Sequence, residues 1–121
     1  MTVDDVLRAY WSAIDAADWA AVADLLHDDF SGRYPATGEH FDKAGFVRLN
    51  AEYPGRWRAE VVDVVASGGR VVTHTRVSDG HESHVVASFA SVDAGRIAEL
   101  VEIWAEGGLA PPADRRPVPG Q

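Results

Sequence analysis

Residues 56–106 read RWRAEVVDVVASGGRVVTHTRVSDGHESHVVASFASVDAGRIAELVEIWAE. The stretch holds four runs rich in β-branched residues: Arg56–Ser67, Arg70–Ser78, His81–Val92 and Arg96–Glu106. Gly68-Gly69, Asp79-Gly80 and Asp93-Ala94-Gly95 separate them. Short glycine turns between such runs are hairpin signals. The pattern predicts a four-stranded antiparallel meander.

Upstream of Arg56 the period changes. Val3, Val6, Leu7, Tyr10, Ile14 and Ala17 fall at helical spacing with one apolar stripe, after a capping-box-like start at Thr2 and Asp5. Asp18 is placed to cap a second short helix carrying Trp19, Val22, Ala23 and Leu26, and Asp42 a third carrying Phe46, Leu49 and Tyr53. Pro54-Gly55 stops the third. Between the last two, Phe30–Tyr34 is strand-like, and Pro35 confines it to an edge or an end. Three helices followed by a meander predict an α+β fold, a cone in which helices pack on one face of a curved antiparallel sheet and enclose a pocket. The domain is expected over residues 1–106. The tail 107–121 holds four of the six prolines and reads as a disordered end or an arm draped over a neighbour.

Composition narrows the function classes. A chain of 121 residues is one domain with one core. Without cysteine, disulfides and thiolate chemistry are excluded. A net charge of −8, with one lysine and ten scattered arginines, argues against nucleic acid and anionic membranes as partners. No apolar run reaches membrane-spanning length, and the acidic start is unlike a signal peptide, so a cytoplasmic protein is expected.

Strand alternation sorts the side chains into two faces. If Asp93-Ala94-Gly95 and Ser78-Asp79-Gly80 are three-residue turns and Gly68-Gly69 a two-residue turn, Ser88 pairs with Leu100, His84 with Trp104, His74 with His84, Arg76 with Glu82, and Asp63 with His74. One face then carries Trp57, Asp63, His74, Arg76, His84, Ser88, Glu102 and Trp104. The other carries Thr73, Thr75, Val77, Val85, Phe89, Val101 and Ile103. A two-residue turn at Asp79-Gly80 would flip His74 and Arg76 relative to His84.

The runs Tyr10-Trp11-Ser12-Ala13-Ile14-Asp15-Ala16-Ala17-Asp18-Trp19 and Leu25-Leu26-His27-Asp28-Asp29-Phe30, with Gly95-Arg96-Ile97 and Glu102-Ile103-Trp104, resemble the nuclear transport factor 2-like superfamily. The likeness is to its SnoaL-like branch of polyketide cyclases and ketosteroid isomerases, and covers about residues 3 to 106. It implies the cone fold and a cavity lined by the equivalents of Ser88 and Trp104, which makes the polar face the concave one. Tyr10 matches the tyrosine that polarises the isomerase substrate. Tyr34 stands where the isomerases carry their basic aspartate, and Ser88 near their second acid. Arg76 and Glu102 resemble the arginine and one acid of the epoxide-hydrolase triad, whose other acid falls at Ser78.

The candidate catalytic set is therefore His74, Asp63, Tyr10, Arg76 and Glu102. Asp63 and His74 form either an acid–base dyad or a cross-strand pair that satisfies itself. Arg76 either clamps a ligand anion or bridges to Glu82 or Glu102. Glu102, flanked by apolar residues, is either paired or raised in pKa and usable as an acid. Tyr34, Tyr53, Trp57, His84, Ser88 and Trp104 are candidate ligand-binding residues. His27, His40 and His81 lie at turns or element ends and read as solvated. His74 and His84 lack the spacing of a metal motif, so neither metal nor cofactor is expected. The function implied is binding of a small hydrophobic ligand, polyketide- or terpenoid-like, with or without acid–base turnover. A non-catalytic carrier and an assembly module are the alternatives. The apolar outer face predicts a homodimer.

Overall fold

The computed structural model describes residues 1–108 and Asp114. Three helices lead the chain: α1 (Val3–Asp15), α2 (Trp19–Asp24) and α3 (Lys43–Glu52). Each starts where a side chain satisfies an otherwise orphaned backbone N–H. Thr2 and Asp5 complete a reciprocal capping box on α1. Asp18 accepts from the Ala21 N–H at 3.1 Å, and Asp42 from the Gly45 N–H at 2.7 Å. The buried face of α1 is Val6, Leu7, Tyr10, Trp11, Ala13 and Ile14; of the expected stripe, Val3 is only half-buried and Ala17 lies beyond the helix end, at φ 54°.

Six strands follow or interleave: β1 (Leu26–Tyr34), β2 (Glu39–Phe41), β3 (Arg58–Ser67), β4 (Arg70–Ser78), β5 (Ser83–Asp93) and β6 (Arg96–Glu106). The sheet order is β2-β1-β6-β5-β4-β3. β3 to β6 form the expected antiparallel meander. The sheet as a whole is mixed and open, because β1 pairs in parallel with β6 and β2 folds back on β1. β1 begins at Leu26, four residues before the expected Phe30. The polar run His27-Asp28-Asp29 masked its start, and it lies in the irregular part of the β1–β6 ladder, between the Leu26 and Ser31 pairings. For the same reason α2 stops at Asp24 rather than Leu26.

The register departs from expectation at two hairpins. Ala94 and Gly95, at φ 51° and 78°, make a two-residue turn of the kind that suits a twisted hairpin. A bulge between Ser91 and Val92 then restores the parity, so Ser88 faces Glu102 and His84 faces Glu106. The pairs slide by two residues and the face assignment of β5 and β6 survives. At the other hairpin Ser78 pairs with Ser83 across a four-residue loop. An even loop in place of an odd one turns β4 over relative to β5. Val71, Thr73, Thr75 and Val77 are buried on the concave side, while Arg70, Val72, His74 and Arg76 are exposed on the outer side.

The core lies between α1 and the concave sheet face, where Val6, Leu7, Tyr10 and Trp11 meet Val71, Val86, Ala90 and Leu100. Arg58 of β3 grips Asp15 at the end of α1 through two hydrogen bonds of 2.8 and 3.0 Å. No helix among the described residues is long and apolar enough to cross a membrane. Most of the proline-rich tail, 109–113 and 115–121, lies outside the described residues.

Candidate functional site

Helices on one side of a curved sheet leave space where the layers diverge. Here that space is a cavity of about 550 Å³ with a mostly apolar lining. α1 contributes Trp11 and Ile14, α3 Leu49 and Asn50, and β1 Tyr34. The sheet supplies Val77, His84, Glu102 and Trp104. All four tryptophans of the chain, Trp11, Trp19, Trp57 and Trp104, line it.

Glu102 is the chemically distinctive group. It points inward from β6, directly opposite Ser88 on β5, and is 1% exposed. The Ser88 hydroxyl donates to Glu102 Oε2 at 2.7 Å, and the Tyr10 hydroxyl reaches the same oxygen at 3.5 Å. No cation stands beside it among the described residues. Burial pushes its pKa up to about 7, against the hydrogen bonds from Ser88 and Tyr10, which favour the charged form. The Trp104 indole N–H also favours the carboxylate, but its geometry falls short of a hydrogen bond and the buried Nε1 has no partner among the described residues. Near neutrality the carboxyl is thus divided between an acid that can donate a proton and a base that can accept one.

The two tyrosines differ in what they can offer. Tyr10 is fully buried, and burial first, then the charge of Glu102, raises its pKa well above the ordinary phenol value. Tyr34 lines the cavity, its ring edge-on to Phe41 and Phe46 at 5.0 and 6.4 Å. Burial and the Glu102 charge raise its pKa too, so it stays a neutral hydrogen-bond donor and cannot serve as a base. His84 packs against Trp57 and Trp104, with ring centroids 5.5 and 6.2 Å away, and its Nε2 lies 3.7 Å from the Glu82 carboxylate. The Trp57 indole donates to the Pro54 carbonyl at 2.8 Å, which fixes that wall. Tyr53, 59% exposed, sits at the rim.

The structure therefore places Tyr34, Tyr53, Trp57, His84, Glu102 and Trp104 on the cavity lining, with Tyr10 and Ser88 buried behind Glu102 and bonded to it. It does not bring His74, Asp63 or Arg76 there. Asp63 pairs with His74 across β3 and β4 as expected, but both are on the outer face. Asp63 Oδ1 accepts from the Val64 N–H at 2.9 Å instead of orienting the imidazole. Arg76 is also outside, 3.7 Å from Glu60 rather than beside Glu82 or Glu102. All three corrections have one cause, the even loop between β4 and β5. Ser78 closes that loop, its hydroxyl donating to the Glu82 carbonyl at 2.9 Å. No group of three or more His, Asp or Glu among the described residues could hold a metal ion.

Sequence reasoning missed Trp11, Trp19 and Thr73. The Trp11 indole donates to Thr73 Oγ1 at 3.0 Å, a buried pair that exists only because β4 is turned this way. The signal was present in β4 itself. Arg70, His74 and Arg76 share one alternation and Val71, Thr73, Thr75 and Val77 the other, and a strand puts its charged alternation toward water.

The family model for the SnoaL-like domain matches residues 7–100. No curated protein matches the sequence. Among solved structures, the chain is similar to a Kribbella flavida protein proposed to be a ketosteroid isomerase, with 27% identity and a TM-score of 0.84 over 98% of this chain and 91% of that one. It is also similar to IdmH, proposed to be a polyketide cyclase, from Streptomyces antibioticus (20% identity, TM-score 0.77, 86% and 92% covered). A third likeness is to an epoxide hydrolase from M. tuberculosis (19% identity, TM-score 0.73, 85% and 82% covered). The last two establish likeness of fold.

Proposed function

We propose that this chain, which belongs to the SnoaL-like domain family, binds a small hydrophobic molecule of polyketide or terpenoid type and acts on it by cofactor-independent acid–base chemistry centred on Glu102. The observation that carries this reading is a carboxyl with no cation partner at the floor of an aromatic-walled cavity, with its pKa raised to about 7. Its ordinary structural alternative, a buried ion pair, is missing among the described residues.

In its ionised form Glu102 accepts a proton from a ligand carbon or from a water held against the ligand. In its protonated form it returns one. Ser88 and Tyr10 steady the carboxylate through Oε2. Tyr34 supplies a neutral O–H toward charge growing on a ligand oxygen. A ligand filling the apolar walls would displace bulk water from them, which strengthens each of these interactions. An isomerase or cyclase reaction suits this set better than epoxide opening by an arginine–carboxylate array, since Arg76 lies on the other side of the sheet.

Glu102→Gln keeps the size and removes the proton exchange. It is expected to lower turnover by roughly 10²- to 10⁴-fold, the usual contribution of a positioned acid or base, with little effect on ligand affinity. Turnover assayed across pH on a panel of enolisable ketones and polyketide mimics checks this. Unchanged turnover in the variant would remove Glu102 from the mechanism. The carrier reading has one observation of its own: Oε2 already receives two donors, so the carboxyl is partly satisfied without a ligand. Tight binding of the same panel with no turnover at any pH would favour it.

A further inference from the structure

The rim of the cavity is charged unevenly. β2 and β3 are the two edges of the sheet, and the cavity reaches toward both. On the β2 side the lining carboxylate is Glu39, whose Oε1 accepts from the Thr37 hydroxyl at 2.7 Å. On the β3 side the lining cation is Arg56, two residues before the strand begins.

Arg56 is held in place by neutral acceptors. Nη1 donates to the Trp57 carbonyl and Nη2 to the Asp15 carbonyl, each at 2.6 Å. Among the described residues it has no ion-pair partner. The nearby Asp15 carboxylate is committed elsewhere: it takes two hydrogen bonds from Arg58 and one from the Ala59 N–H at 2.9 Å. Asp15, Arg56 and Arg58 together therefore carry a net charge of +1 in a chain whose total is −8. A guanidinium has five N–H donors, and these two carbonyls occupy two of them. Capping the last turn of α1 explains the bond to Asp15. It does not explain why an exposed guanidinium with no ion-pair partner among the described residues is anchored beside Trp57, at the rim of an apolar cavity.

We propose that Arg56 is an anion-docking subsite, and that the cavity's ligand is an amphipathic carboxylate whose flat apolar body lies along the tryptophans. This deepens the function proposed above and rests on its reading of the cavity as a ligand site. A planar fork matches a carboxylate through paired hydrogen bonds, and its two carbonyl anchors remove part of the ordering cost of binding. The polarity also sets orientation. The anion stays at the wet rim on the Arg56 side, away from Glu39. The apolar end is then directed to the floor, where Glu102 sits and where a second negative charge would be costly.

The test uses two probes of equal shape, 2-naphthoate and its neutral isostere 2-naphthamide, titrated calorimetrically into the full chain. The parent protein is expected to bind the carboxylate roughly ten- to a hundredfold more tightly than the amide, the range for hydrogen bonds to a charged group. The preference should shrink as sodium chloride is raised, while amide binding stays constant. Arg56→Gln should abolish the preference and keep the amide affinity, and Arg56→Lys should restore part of it. The amide affinity of R56Q also reports that the cavity has kept its shape. Equal affinities in the parent, a preference that survives in R56Q, or tighter binding of the amide would overturn the subsite and leave the cavity as a site for neutral ligands. Binding of neither probe would overturn both the subsite and the ligand reading. Failure of the Glu102 chemistry is read separately, in the turnover of E102Q.

Discussion

A carboxyl that is 1% exposed must find a countercharge or hold on to its proton. Glu102 has hydroxyl donors and no cation beside it among the described residues, and burial raises its pKa to about 7 from an ordinary 4.5. Stability is linked to this shift. Between those two values the folded chain holds a proton that the unfolded chain has released, so this group's contribution falls as pH rises through the window. Glu102→Gln carries no such cost. Its unfolding free energy should match that of the parent near pH 4.5 and exceed it by the order of 1–3 kcal/mol at about pH 8. Urea denaturation of both proteins at the two pH values checks this, and a parent protein that keeps pace with the variant at the higher pH would mean the buried charge is cheaply accommodated. Asp15 shows the opposite logic. Its hydrogen bonds from Arg58 and Ala59 hold its pKa down to about 2, so what it adds in tying α1 to β3 persists until strongly acid conditions.

At the scale of elements, β4 decides which side chains can take part. Its inward Thr73 hydroxyl accepts from Trp11, so Thr73→Val should leave a buried indole N–H without a partner and cost about 1–3 kcal/mol. His74→Ala and Arg76→Ala on the outer face should change stability by no more than about 0.5 kcal/mol and leave cavity binding untouched. Thermal unfolding of the three variants separates the observed register from its one-residue alternative, in which these costs would be exchanged. The same strand shows what the sequence made legible. The α1 stripe from Val3 to Ile14, the three helix caps and the four meander runs follow from local periodicity and local hydrogen bonding, and they sit where expected, while Ala17 falls past the end of α1. The face of β4 depends on the number of residues in one loop, and Asp79-Gly80 marks that a turn exists without fixing its length. That is why alternation puts Glu102, Ser88, His84 and Trp104 on the face they occupy and Asp63, His74 and Arg76 on the opposite one. The parallel pairing of β1 with β6 was hidden for another reason: it joins segments more than sixty residues apart, and no local pattern records it.

At the scale of the whole molecule, the cone has one face covered by helices and one that no helix among the described residues covers. Val72, Val85 and Ile103 are 36%, 36% and 47% exposed on the second face, with Phe89 and Val101 beside them. Val77, expected in this patch, faces inward and is buried. An apolar sheet face of this kind is a common interaction surface, and a second copy related by a twofold axis is the simplest cover. Light scattering should give a dimer mass at micromolar concentration, and Val85→Glu should shift it to the monomer with unfolding behaviour intact. A monomer mass for the parent chain would leave the patch without a partner of this type. The cavity lies on the other face of the sheet, toward the helices. The chemistry proposed for it rests on one proton, and that proton can be observed. In ¹³C-NMR of glutamate-labelled protein, with Glu102→Gln used to assign the resonance, the Glu102 carboxyl should titrate with a midpoint near 7. A midpoint at the ordinary carboxylate value of about 4.5 would contradict the reading of Glu102 as the site's acid and base.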